Sequence, residues 1–254
     1  MKQPQQRINP NRLKSHEIGQ LVIDNWKRIE YVCHRQNDHV TSAIKHGRKY
    51  DEVVTIEWQS PEGLQFLLFM DYRHQIPVLI PCIVGGTEQR PQFFFPQNYI
   101  DTDSAQMDLY TCHFMERYQQ RCTKLKLPMK EIVKRYALAN ISNLCIWRNE
   151  ADDRRVFAVR QGLIFAKADR EYNRWIYTTY VSNDMLGESQ REAKAVIQEL
   201  LDRQDTLFNG THQYHPLAWD ILDEYIIARL KVLRPQAEEI YNRYFEDAEE
   251  ETNV

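Results

Sequence analysis

The chain has 254 residues, of which 43% are hydrophobic, and this composition excludes a disordered coil and is sufficient for a large core. Its 33 Lys and Arg residues are outnumbered by 36 Asp and Glu residues, which excludes a uniformly basic nucleic-acid coat protein but leaves room for a local basic patch. Neither G-x-G-x-x-G nor G-x-x-x-x-G-K-[ST] occurs, so dinucleotide and P-loop nucleotide binding have no motif support.

The first residues, MKQPQQRINPNRLK, are polar and lack the apolar segment of a secretory signal peptide, so a cytoplasmic protein is expected. Since no stretch approaches the roughly 18 apolar residues that span a bilayer, we expect no membrane association. The five cysteines include no C-x-x-C pair and are expected to be reduced and structural. We assign no metal ligands and expect no cofactor.

The N-terminal part divides into a flexible basic arm, residues 1–14, and an α+β block, residues 15–106. In this block Ser15 is expected to cap a helix that runs to about Arg35, because apolar residues recur there at helical spacing. The turn sequence Ser60-Pro61-Glu62-Gly63 predicts a β-hairpin. Its strands are expected at 53–58 and 64–70, followed by a third strand at 77–84 and a looser aromatic run at 93–95.

The central segment, residues 107–186, is expected to begin with a helix from Met107 to Cys122 and a second helix after Pro128, within a helical insertion near 128–147. A three-stranded meander is expected to follow. Its strands are predicted at 155–160, 163–166 and 175–181. Residues 187–245 are predicted to form C-terminal helices, and residues 246–254 an acidic tail.

The order of these elements does not alternate as it does in a parallel α/β sheet. We therefore predict an α+β fold with two three-stranded antiparallel blocks, flanking helices and a helical C-terminal region. The two blocks are compatible with separate sheets or with one continuous sheet.

A basic segment concentrates positive charge in this acidic chain. Residues 113–135 contain seven Lys or Arg against two Glu. Helical spacing of four predicts that His113, Arg117 and Arg121 share one face. An imidazole can transfer protons near neutral pH and guanidinium groups can stabilise a phosphorus transition state, so this set is suited to metal-free RNA cleavage. The alternative is an ordinary solvated helix face.

A helix with His-x-x-x-Arg-x-x-x-Arg, followed by a β-meander whose last strand carries Thr or Ser, resembles the metal-independent RNase superfamily of barnase, colicin-type nucleases and RelE-like toxins. The matching residues here are His113, Arg117 and Arg121, with Thr178 or Thr179 in the last strand. The resemblance covers residues 113–182 and implies RNA cleavage or binding. It implies His113 as acid and base, the arginines as phosphate ligands and Thr178 as an orienting hydroxyl.

RNA is accordingly the expected partner, with Lys124, Lys126, Lys130 and Tyr177 as predicted binding residues. The competing hypothesis is a non-catalytic interaction module or scaffold. In that case the C-terminal helices would form a homodimer or bind a protein partner. The two hypotheses differ in whether His113 and both arginines share one exposed concavity.

Overall fold

The structure is a computed structural model. It describes residues 8–73, 77–98, 105–140, 143–149, 151, 153–187, 195, 198, 199 and 202. These residues form two compact units. The first contains the described residues up to Cys112 together with Met129–Lys134 and Ala168–Ile176, and the second contains the other described residues. Each unit is therefore assembled from segments that are distant in sequence.

The described part of the chain contains three α-helices and nine β-strands, which confirms an α+β fold. The helices are α1 (Ser15–Lys45), α2 (Cys112–Tyr118) and α3 (Met129–Ala139). The strands are β1 (Val53–Gln59), β2 (Gln65–Asp71), β3 (Val78–Gly86), β4 (Pro91–Asn98), β5 (Gln106–Tyr110), β6 (Asn143–Asn149), β7 (Arg154–Val159), β8 (Gly162–Asp169) and β9 (Arg174–Ser182).

The β1–β2 hairpin lies where the sequence predicts it. The strands are antiparallel and pair from Val53 opposite Asp71 to Gln59 opposite Gln65. The amide of Ser60 donates to the Leu64 carbonyl, and Gly63 has a φ of 97°, a conformation that glycine adopts without strain. The turn residues therefore determine the register of this hairpin.

Helix α1 is longer than predicted and is capped differently. It continues past Arg35 to Lys45, and Val40 is still buried near its end. The N-cap residue is Lys14, whose amide donates to the Glu17 carboxylate at 2.7 Å. Ser15 is instead the first helical residue, and its hydroxyl donates to the carbonyl of Asn173. This long-range contact removes the Ser15 hydroxyl from the predicted capping role.

The core of the first unit lies between α1 and the strands that follow it. Apolar residues from one face of α1 pack there against side chains of β2 to β5. These core residues include Ile18, Val22, Ile29, Leu64, Phe66, Leu68, Ile83, Phe94, Met107 and Leu109.

The prediction of three-stranded blocks is wrong in number, because β4 and β5 extend the first block to five strands and β6 extends the second to four. Strands β1 to β5 are neighbours in chain order in the first unit. Strands β6 to β9 are also neighbours in chain order, and β6, β7 and most of β8 and β9 belong to the second unit. The predicted helix from Met107 is a strand as far as Tyr110, and the helix begins only at Cys112. Since Met107, Asp108, Leu109 and Tyr110 are all buried, β5 lacks the alternation that identifies a strand.

Helix α3 begins after Pro128, as predicted, but it ends at Ala139. The helical insertion predicted near 128–147 is therefore too long, because strand β6 begins at Asn143. Asn140 ends the helix while its side chain bonds to Gln161: Nδ2 donates to Oε1 at 3.2 Å and Oδ1 accepts from the Gln161 amide at 3.1 Å. A contact between residues so far apart in sequence leaves no local signal.

Strands β7, β8 and β9 lie at the positions predicted for the meander. β7 and β8 are antiparallel from Arg154 opposite Lys167 to Val159 opposite Gly162. Gly162 is required by packing, because a Cβ atom there would lie 2.0 Å from the carbonyl oxygen of Val181. The predicted C-terminal helices and acidic tail lie almost entirely outside the described residues.

Candidate functional site

The predicted site residues of the second unit begin on α2. Phe114, Met115 and Tyr118 are its buried residues, which leaves His113 and Glu116 exposed. Arg117 Nε donates to His113 Nε2 at 2.7 Å, and His113 Nδ1 lies 3.8 Å from a carboxylate oxygen of Glu116. The His113 side chain is 59% exposed. The imidazole therefore stands in solvent between a guanidinium and a carboxylate.

Arg121 is separated from this pair because the helix changes its period. α2 ends at Tyr118, and Gln119–Thr123 form a wider π-helical turn. The Arg121 guanidinium donates to the carbonyl of Tyr180 on β9. The structure thus brings His113 and Arg117 together, whereas Arg121 contacts the backbone of a strand.

An aromatic cluster packs on the buried side of α2. The Phe114 ring packs edge-on at 5.1 Å from Tyr136 and 5.9 Å from Tyr180. Tyr118 packs perpendicular to both tyrosines, at 5.1 and 5.2 Å. Tyr177 is only 1% exposed and also contacts Phe114. Its ring is therefore a core element and is not accessible for stacking on a base.

The hydroxyls of this cluster converge on Gln161. Tyr118 donates to Gln161 Oε1 at 2.8 Å, and Tyr180 donates to the Gln161 carbonyl at 2.7 Å. Burial raises the pKa of both phenols well above the ordinary range, so they stay protonated as donors. Cys122 Sγ lies 2.8 Å from the Tyr180 hydroxyl. These bonds hold the π turn and β9 in a fixed arrangement.

The loop after the π turn presents two lysines. Lys124 has a φ of 53°, and its amide donates to the Gln119 carbonyl. The Gln119 side chain donates to the carbonyls of Leu125 and Leu127, at 2.7 and 3.4 Å. Lys124 and Lys126 are exposed, and among the described residues no acidic side chain pairs with either. The loop therefore holds two ammonium groups in water on an ordered backbone.

The remaining predicted residues lie apart from this loop or have other partners. Lys130 belongs to the first unit and forms an ion pair of 2.7 Å with Glu57, whose hydrogen bond raises the pKa of the ammonium group. Thr178 is exposed on β9, whereas Thr179 is buried. The orienting role of Thr178 stays a prediction.

Sequence reasoning missed Glu116, Gln119 and Gln161 as site residues. Glu116 had a usable signal, because a carboxylate three positions after His113 on a helix lies beside it. Gln119 acts through backbone carbonyls of a loop whose conformation follows from the π turn. Gln161 contacts Tyr118 across 43 positions of sequence, so no local pattern indicates it.

Two further properties of the described residues bear on other classes of function. None of the helices in that part of the chain has the length and apolar character needed to cross a membrane. Nor do three or more His, Cys, Asp or Glu side chains gather there in a group that could hold a metal ion. Compared with known proteins, the chain matches no family model, no curated protein and no solved structure.

Proposed function

We propose that this chain is a metal-independent RNA-binding protein that contacts phosphates through the basic surface of its second unit. This surface consists of His113, Arg117, Lys124 and Lys126. Phosphate oxygens accept hydrogen bonds from ammonium and guanidinium groups, and this surface provides both kinds of donor.

The observation that carries the proposal is the ordered loop with Lys124 and Lys126. A lysine in an exposed ion pair gives up a weak attraction when it binds phosphate, as Lys130 would with Glu57. The two loop lysines have no such competitor among the described residues, and the Gln119 side chain orders their backbone in advance. Less entropy is therefore lost when a phosphate binds.

A specific contact favours cleavage as a second activity. In the free protein His113 Nε2 accepts a hydrogen bond from Arg117 Nε, so its lone pair is occupied. A bound phosphate competes for the Arg117 guanidinium and thereby frees Nε2. Nε2 then takes the proton of a ribose 2′-hydroxyl as that oxygen bonds to phosphorus. The P–O5′ bond breaks, and the 5′ oxygen leaves with a proton from water, which yields a 2′,3′-cyclic phosphate.

The test uses a fluorescein-labelled single-stranded RNA in excess EDTA, with wild type and His113→Ala. We expect wild type to bind in EDTA as tightly as in Mg²⁺. If the imidazole is the base, His113→Ala should lose about 100-fold or more in cleavage rate. It should retain most of the affinity, since the lysines remain.

Two outcomes separate the two parts of the proposal. Equal cleavage by both proteins, or none by either, removes His113 from catalysis and leaves RNA binding standing. Absence of RNA binding in wild type contradicts the proposal itself and favours the interaction hypothesis. That hypothesis is tested by sedimentation, which measures the oligomeric state.

A further inference from the structure

The first unit has a groove between α1 and the end of β1. Its walls are Lys27, Arg28, Tyr31 and Val32 on the helix, with Trp58 and Pro61 opposite. Its volume is about 360 Å³, which is within the range of small-ligand sites. None of the site residues predicted from the sequence lines this groove.

The groove has an aromatic side chain on each wall. Tyr31 is 65% exposed, on the face of α1 opposite to the one that packs on the core. Trp58 leans on the core through Phe66, with the ring centroids 5.2 Å apart at 42°. The Trp58 indole therefore packs against Phe66 and also lines the groove, whereas the Tyr31 ring is exposed to solvent.

One end of the groove is held by a buried amide. Asn25 is completely buried, and its Nδ2 donates to the Glu62 carboxylate and to the Leu21 carbonyl, each at 2.9 Å. Its Oδ1 accepts from the Arg28 guanidinium at 3.0 Å. This network ties the β1–β2 turn to α1, so the width of the groove is set before any ligand binds.

The charge beside the rings is positive. Arg28 is 3.8 Å from Glu62, so its charge is largely balanced. Lys27 is exposed on the same wall as Tyr31, and no acidic partner for it occurs among the described residues. Gln59, exposed at the far wall, adds an amide that can donate to and accept from a polar ring edge.

We propose that this groove holds one unpaired base of single-stranded RNA. This inference rests on the proposed function. The base stacks on Tyr31 and Trp58, its edge bonds to Gln59, and Lys27 contacts the flanking phosphate. Aromatic rings beside a lysine are typical of sites that bind single strands without sequence preference. An acidic peptide is the other occupant with suitable charge, but a peptide does not require a ring on each wall.

The test titrates hexa-adenylate into the full chain and into Tyr31→Ala, Tyr31→Phe and a matched control, Tyr50→Ala. Tyr50 is also an exposed tyrosine and lies outside the groove. Loss of one stacking partner should weaken binding about fivefold to 100-fold in Tyr31→Ala. Tyr31→Phe and Tyr50→Ala should bind as wild type does. Because Tyr31 is exposed on a helix, the alanine variant will fold.

The same titrations are repeated with Lys124→Glu/Lys126→Glu added, so that the groove and the loop are tested separately. A Tyr31→Ala effect in both backgrounds supports the groove, even if the loop variant shows that the proposed phosphate surface is wrong. Equal affinities of Tyr31→Ala and wild type in both backgrounds overturn the inference. So does a Tyr-Glu repeat peptide that binds more tightly than hexa-adenylate and depends on Tyr31.

Discussion

Gln161 shows how a single residue can organise the surroundings of the candidate site. Its side-chain oxygen accepts from Tyr118 and Asn140, and its backbone carbonyl accepts from Tyr180. A buried donor that loses its acceptor is more costly than a pair that is removed together. The tyrosine cluster under α2 should therefore be sensitive to this one amide.

We predict that Gln161→Met destabilises the protein by about 1–3 kcal/mol, because Tyr118 and Asn140 lose an acceptor. The measurement is a double-mutant cycle in urea with Tyr118→Phe. The double variant should lose less stability than the two single losses added together. Strict additivity would show that the bond between Gln161 and Tyr118 contributes nothing.

The Glu62 carboxyl, which bonds to Asn25 beside the groove, makes the free energy of unfolding depend on pH. Hydrogen bonds from Asn25, and next from Ser60, lower the pKa of the Glu62 carboxyl below its ordinary value. A carboxyl with a lowered folded-state pKa contributes stability above its ordinary pKa and loses it as pH falls through the folded value. Between pH 7 and pH 3.5, wild type should therefore lose more free energy of unfolding than Glu62→Gln. Parallel losses in the two proteins would contradict this role.

At the scale of elements, the π turn decides which side chains meet. A continuous α-helix would place Arg121 one turn beyond Arg117, whereas the observed turn directs it to the Tyr180 carbonyl. The same turn leads into the lysine loop, whose backbone is held by Gln119.

Gln119→Ala should leave the fold intact and increase hydrogen exchange of the amides in 123–127, because two carbonyls lose their side-chain donor. Gln120→Ala is the matched control, since Gln120 is exposed in the same turn. Equal exchange in both variants would mean that the loop is ordered by other contacts.

The elements that sequence patterns predict are those with local signals. Ser60-Pro61-Glu62-Gly63 determines a hairpin, and Pro128 precedes α3, so both were predicted correctly. Strand β5 is buried on both faces, so it lacks the alternating pattern that identifies a strand. Helix α3 ends where Asn140 contacts Gln161, a residue distant in sequence, so no local pattern marks this end. For the candidate site, the His113–Arg117 pair followed from helical spacing. The position of Arg121 depends on its contact with β9, so it does not follow from helical spacing.

For the whole molecule, the distribution of charge matters more than its sum. The net charge is −3, so the chain as a whole does not attract RNA. Seven basic residues nevertheless lie within residues 113–135. Of these, Lys130 and Lys134 form ion pairs with Glu57 and Glu131. Arg117 contacts His113, and Arg121 contacts the Tyr180 carbonyl. We expect Lys124 and Lys126 to contribute most to binding. RNA affinity should therefore depend on very few side chains.

The most direct test is the salt dependence of single-stranded RNA binding by wild type, Lys124→Ala/Lys126→Ala and the control Lys45→Ala/Lys49→Ala. The control removes two exposed lysines outside the basic surface. We predict that the loop variant binds more weakly and that its slope of log affinity against log salt is smaller by about 1.4, or about 0.7 per lost phosphate contact. The control should match wild type. Identical affinities and slopes for all three proteins, or no RNA binding by wild type, would contradict the account.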